Sequence, residues 1–136
     1  PYWDQFVYGR ISNPTTKQLE LTLAELQKKE DCIVLSSGIA AVSTMFLSLL
    51  RAGDHMISFR ELYKPGRVFI KEILPRYGIS SSLLTLKALD EFEAAIIPGK
   101  TKLVHFESPT NPHLEMADID KIISIDVTFE IEKKFN

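Results

Sequence analysis

The chain has 136 residues, 45% of them hydrophobic, enough for one compact domain that buries roughly two-thirds of its unfolded surface. Lys+Arg 16 against Asp+Glu 18 gives a net charge of -2 with the signs interspersed, so nucleic acid and anionic membrane surfaces are not expected partners. The single cysteine, Cys32, cannot form an internal disulfide, and no signal-peptide pattern is seen, which points to a reducing cytoplasmic compartment. The chain opens on Pro1 rather than Met, as an incomplete or processed N-terminus would.

Residues 1–14 are aromatic and irregular and read as an arm. Helical spacing begins at Thr15, with Leu19, Leu23 and Leu26 on one stripe and Thr15 and Gln18 placed for a capping box; this helix is expected to reach about Lys29. Cys32 to Leu35 is a short apolar run before Ser36-Ser37-Gly38, which suits a strand buried on both faces. A buried helix is expected from Ile39 to Leu50, too short and too interrupted by Ser43, Thr44 and Ser48 to span a membrane.

Gly53-Asp54 marks a turn, His55 to Phe59 a strand, and Lys64 to Leu74 a helix that Pro75 should end. A strand near Ile79 to Leu84, a helix from about Leu89 to Ile96, a turn at Pro98-Gly99 and a strand from Lys102 to Phe106 continue the alternation. A last helix is expected near Ala117, with Ile119, Ile122 and Ile123, and the pattern fails from Ser124 onward. Strands trading places with helices of this length imply parallel βαβ units, so the class is α/β with a mostly parallel sheet flanked by helices.

Ligands of open α/β sheets bind beyond the carboxyl ends of the strands. Two segments there can carry chemistry. Ser36-Ser37-Gly38-Ile39 precedes a helix whose first amides and dipole suit an anion such as phosphate, although a turn of this kind also serves plain packing and capping. It matches neither the dinucleotide nor the P-loop fingerprint. Glu107-Ser108-Pro109-Thr110-Asn111-Pro112 is a loop in which the prolines would hold a carboxylate and an amide at a fixed separation; the alternative is a rigid turn with both groups serving themselves. His55, His105 and His113 lack metal-ligand spacing and are expected to be structural; no nucleophile-elbow motif is present. Arg10 beside Tyr8 could grip a phosphate or be a solvated surface group.

Four segments in order resemble the transsulfuration family of pyridoxal-phosphate enzymes, a branch of fold-type I: YGRISNPTTKQLE at 8–20, VLSSGIAAV at 34–42, RELYKPGRVFIKEILPRYGI at 60–79 and FESPTNPHLEMADID at 106–120. The third segment is most similar to cystathionine γ-synthases. The resemblance implies a partial aspartate-aminotransferase-like large domain over residues 15–123, between the arm and an aberrant or truncated tail at 124–136. It implies that the Gly38 and Ile39 amides hold the phosphate of pyridoxal 5'-phosphate and that Tyr8 and Arg10 reach the same phosphate from a neighbouring subunit of a homo-oligomer. Tyr63 would stack on the pyridine ring and assist proton transfer, Asn111 would bond its phenolic oxygen, and Glu107 would help orient that loop. The implied reaction replaces the γ-substituent of an activated homoserine with cysteine, the cofactor ring stabilising negative charge at Cα and then Cβ.

The family also uses a lysine in a Ser-x-Thr-Lys context to hold the cofactor covalently and shuttle protons, and no lysine of this chain has that context. Asp126-Val127-Thr128-Phe129 has the form of the family's acidic segment but follows Asn111 too closely, so Asp126 is left unassigned. The expectation is therefore a truncated γ-synthase-like chain, poorly active alone. A γ- or β-lyase of the same family and a non-catalytic assembly partner are the alternatives.

Overall fold

A computed structural model of the chain describes residues 8–124, which divide into two compact units, residues 8–41 and 42–124.

The first unit opens on a turn in which the amides of Ile11 and Ser12 both donate to the Tyr8 carbonyl, at 2.9 and 3.0 Å. Helix α1 (Pro14–Leu26) follows. The expected capping box at Thr15 does not form. Asn13 is the N-cap instead, its Oδ1 accepting the Thr15 and Thr16 amides at 2.9 and 3.2 Å, with Pro14 supplying a fixed φ in the first turn. The leucine stripe is not the buried one, since Leu19 and Leu26 are exposed and Ala24 is buried. Cys32 to Leu35 is not a strand, and Ile33 is exposed. Its Val34 amide is satisfied locally by Glu20 Oε1 of α1 at 3.1 Å, and no strand among the described residues pairs with the run. Lys17 lies 3.3 Å from Asp31 and 3.7 Å from Glu20.

Helix α2 (Gly38–Leu49) matches its expected span but is buried along one stripe only: Phe46 is fully covered while Leu49 is exposed. The Arg51 guanidinium folds back onto the carbonyls of Leu47, Ser48 and Leu50, satisfying acceptors that a helix leaves open at its end.

The second unit holds a parallel sheet in the order β2-β1-β3, from β1 (His55–Phe59), β2 (Ser80–Leu84) and β3 (Thr101–His105). All five residues of central β1 are buried, as a strand covered on both faces requires. Met56 packs on one face with Phe46, Leu50, Leu62, Ile70, Leu74 and Ile79; Ile57 and Phe59 pack on the other with Phe92 and Ile122. Neighbours in a strand point to opposite faces, so one strand feeds both cores. The predicted helix after β1 is a composite: α3 (Lys64–Val68), a π-helical turn (Phe69–Ile73) and a 3-10 turn (Leu74–Tyr77). Pro75 does not end it. The proline sits in the first turn of the 3-10 segment, where no amide is needed, and Gly78 at φ 74° ends the run. The next predicted helix is likewise split into a 3-10 turn (Leu86–Glu91), kinked at Ala88, and α4 (Phe92–Ala95). Helix α5 (Ile119–Ser124) begins after Asp118, whose Oδ1 accepts the Lys121 amide. The remaining tail, including Asp126, lies outside the described residues, and among those described no helix is long and apolar enough to cross a membrane.

Candidate functional site

Parallel strands carry their chain exits to one end of a sheet, and here β1 and β3 are neighbours. The segment leaving β1 reaches Tyr63 four residues after Phe59; the segment leaving β3 reaches Glu107 two residues after His105. Glu107 Oε1 accepts the backbone amide of Tyr63 at 3.1 Å, so the two exits are tied together. The Tyr63 ring is half exposed.

Asn111 is exposed on the loop beyond Glu107. Besides its two prolines, the loop is closed by polar bonds. Thr110 is buried, its amide donates to the Glu115 carbonyl at 2.9 Å, and its Oγ1 accepts the Glu115 amide at 3.0 Å. Ser108 Oγ accepts the Ala117 amide at 3.2 Å. These bonds hold the two sides of the loop together at the base of Asn111. The signal was present in the sequence, since Ser and Thr beside proline are strong local hydrogen-bonding residues.

Beneath this end of the sheet lies a second feature that sequence reasoning passed over. Ser58 and His105 are register partners, and Ser58 Oγ is 3.2 Å from His105 Nδ1. The His105 ring meets the Phe46 ring edge-on, with centroids 5.0 Å apart. Burial lowers the His105 pKa below the usual histidine value, and the Glu107 charge opposes that shift. His55 closes the opposite end of β1 and reaches both neighbouring strands, 2.8 Å to Thr101 Oγ1 and 3.0 Å to Ser82 Oγ. His55 and His105 thus serve the sheet, while His113 is exposed. A concavity around Gly78, Ile79 and Ser80 lies at the amino end of β2 and contributes nothing to the Tyr63 exit.

In the first unit, the Ser37 carbonyl receives the Ala41 amide at 3.0 Å and Ser37 Oγ receives the Ala40 amide at 3.2 Å. The Gly38 and Ile39 amides precede that first ladder bond at the positive end of α2. A Cβ on Gly38 would meet nothing within 4 Å, so the backbone at the start of α2 is not crowded by a side chain there. Arg10 lies over the Tyr8 ring, 5.4 Å from its centroid, so these exposed groups partner each other.

The family described as Cys/Met metabolism PLP-dependent enzyme matches residues 3–131. The chain belongs to that family. Its cofactor is pyridoxal phosphate. Among curated relatives, the chloroplastic cystathionine gamma-synthase 1 of Nicotiana tabacum is 37% identical over 117 residues, 86% of this chain and 22% of that protein. The L-methionine gamma-lyase of Porphyromonas gingivalis is 38% identical over 122 residues, 90% of this chain and 30% of that one. A solved Campylobacter jejuni protein, assigned as an O-acetylhomoserine (thiol)-lyase and carrying N'-pyridoxyl-lysine-5'-monophosphate, superposes with a TM-score of 0.80 at 33% identity, over 87% of this chain and 29% of that one. The chain therefore spans less than a third of the length of these relatives. The partial α/β domain with its parallel sheet is the fold of this family.

The residues present suit the cofactor's groups. Amides at a helix start suit a phosphate, a half-exposed tyrosine at a strand exit suits the face of an aromatic ring, and an exposed amide side chain on a fastened loop suits a phenolic oxygen.

Proposed function

We propose that this chain supplies the phosphate- and ring-gripping portion of a cystathionine γ-synthase-like enzyme, one that replaces the γ-substituent of an activated homoserine with cysteine. The observation that carries the reading is the Glu107–Tyr63 tie across the exits of β1 and β3, in a chain of this family, with Asn111 on the same loop. Bound pyridoxal phosphate supplies an electron-withdrawing ring that stabilises negative charge on the amino-acid substrate. The residues of this chain bind and orient. The Gly38 and Ile39 amides donate to the phosphate, and Arg10 adds a charge-assisted donor from a neighbouring subunit, with Tyr8 beside it. Tyr63 lays its ring on the pyridine and offers its phenol for proton transfer, and the Asn111 amide donates to the phenolic oxygen. Glu107 serves from the loop between them.

A lyase of the same family is the second reading, favoured by near-equal identity to synthase and lyase relatives. The preference for a synthase rests on the segment at 60–79. Cofactor-gripping groups say little about which bond breaks, and the same groups would serve a non-catalytic partner of a complementary chain.

The test is to titrate the purified chain with pyridoxal phosphate and record visible absorbance before and after borohydride. A saturable, reversible spectral change supports a retained cofactor grip. Absence of any change sinks the proposal, and a borohydride-fixed adduct on one lysine would show that this chain carries a Schiff-base residue after all.

A further inference from the structure

We infer that Glu107 is a positioning residue that acts through Tyr63 rather than a group that touches the cofactor, an assignment that rests on the cofactor-gripping reading above. Tyr63 is the joint between β1 and α3, at φ -50° and ψ 126°, and its side chain makes no cap bond to the helix it precedes. Its ring is 49% exposed, so packing alone does not set where the ring points. The backbone must do so.

Both polar groups of that backbone are held. The Tyr63 carbonyl accepts the Arg67 amide of α3 at 3.3 Å, and the Tyr63 amide donates to Glu107 Oε1 at 3.1 Å, from a residue 44 positions later. A charged acceptor makes such a bond stronger than a neutral one. The division of labour fits the chemistry. An ionised carboxylate can only accept, whereas a phenolic oxygen carrying negative charge needs a donor. The acceptor-only side chain is spent on a peptide amide, and the loop's amide side chain, Asn111, is left to donate. The base on which Glu107 stands is firm: His105, two residues earlier, is bonded to Ser58 and seated on Phe46.

The experiment follows the Tyr63 backbone amide by NMR and pyridoxal phosphate affinity by absorbance, in the native full chain, Glu107→Ala and Glu107→Gln. Glu107→Ala is expected to speed exchange of the Tyr63 amide by about tenfold and to weaken the cofactor by a similar factor. Glu107→Gln keeps an acceptor oxygen, so it should restore both to within about threefold of native. Unchanged exchange in Glu107→Ala overturns the inference, as does faster exchange with undiminished cofactor affinity. A native chain that takes up no pyridoxal phosphate is a different failure, seen before any substitution, and it removes the functional reading itself.

Discussion

His55 Nδ1 lies 2.8 Å from Thr101 Oγ1, the same oxygen that receives the Ile97 amide at 2.8 Å, so one threonine hydroxyl fastens a loop and a buried imidazole together. The other ring nitrogen meets Ser82 Oγ, and His55 in β1 thereby joins β2 and β3 where the main-chain ladder begins. Burial lowers the His55 pKa, and it does the same to His105. The unfolded chain takes up these protons near the ordinary histidine value of about 6.5, whereas the folded chain resists them. Stability is therefore complete above that value and is lost as pH falls from it through the lowered folded pKa values.

The expected outcome is a urea midpoint that drops between pH 7.5 and 5.5. His55→Gln should flatten the drop while lowering stability at the upper pH. An equal slope in native and variant proteins would show that His55 does not titrate between the two states.

Phe46 ties helix α2 to the sheet. It is fully buried, lies 6.3 Å from Phe69 ring to ring, and stands nearly perpendicular to the His105 ring. Phe46→Ala should cost about 3–5 kcal/mol by deleting a ring that its neighbours cannot refill, with Phe46→Leu costing less. The same variant should raise the His105 pKa toward its ordinary value, because water replaces the ring. Denaturant midpoints and the His105 NMR titration give the two answers separately.

How far the sequence carried this picture depended on what kind of fact was sought. Strand β1 was legible in full because Met56, Ile57 and Phe59 form a short run that follows the turn at Gly53-Asp54, and Gly53 and Gly99 lie at positive φ as turn glycines. Cys32 to Leu35 is more uniformly apolar than β1, yet a strand is a property of a pair, and composition does not supply the second member. The segment at 64–77 has one helical period, but it is divided among three kinds of turn whose differences lie in i→i+3, i→i+4 and i→i+5 bonding. The loop that carries Glu107 was read as a strand exit and Tyr63 came from the family resemblance, whereas the bond between them joins residues far apart in sequence, and no local pattern encodes it.

Thr110 is expected to control Asn111 from below. Thr110→Val preserves shape but withdraws the acceptor for the part-buried Glu115 amide, at a cost of about 1–3 kcal/mol, whereas Thr110→Ser retains the acceptor. Faster exchange at the Glu115 amide and weaker pyridoxal phosphate binding should appear together in the valine variant and be largely absent in the serine variant. Loss of stability with unaltered cofactor affinity would detach Asn111 from the ring.

Gly66 is a different kind of constraint. It is buried inside α3, and a Cβ there would sit 2.9 Å from Leu62 Cδ1, itself in the core. Alanine gains about 1 kcal/mol of helix propensity, and overpacking costs about 1–3 kcal/mol, so Gly66→Ala should be destabilising by a small margin. Gly66→Val should be markedly worse, because a branched side chain adds volume to the same collision. Thermal denaturation of the pair reads this directly, and a stabilised alanine variant would mean that Leu62 moves aside freely.

Gly38 allows the phosphate assignment to be separated from folding, because the two respond to charge with opposite signs. The residue begins α2, and nothing lies within 4 Å of where a Cβ would be, so neither alanine nor aspartate meets a steric barrier. A carboxylate in the first turn interacts favourably with the helix dipole, by about 0.3–1 kcal/mol, so Gly38→Asp should leave the urea midpoint unchanged or raise it. The same charge would face the phosphate that the Gly38 and Ile39 amides are proposed to hold. Binding of pyridoxal phosphate by Gly38→Asp should therefore be abolished, while Gly38→Ala, which adds bulk without charge, should stay within about threefold of the native chain. An aspartate variant that is as stable as the native protein and binds the cofactor as tightly would remove the helix start from the site.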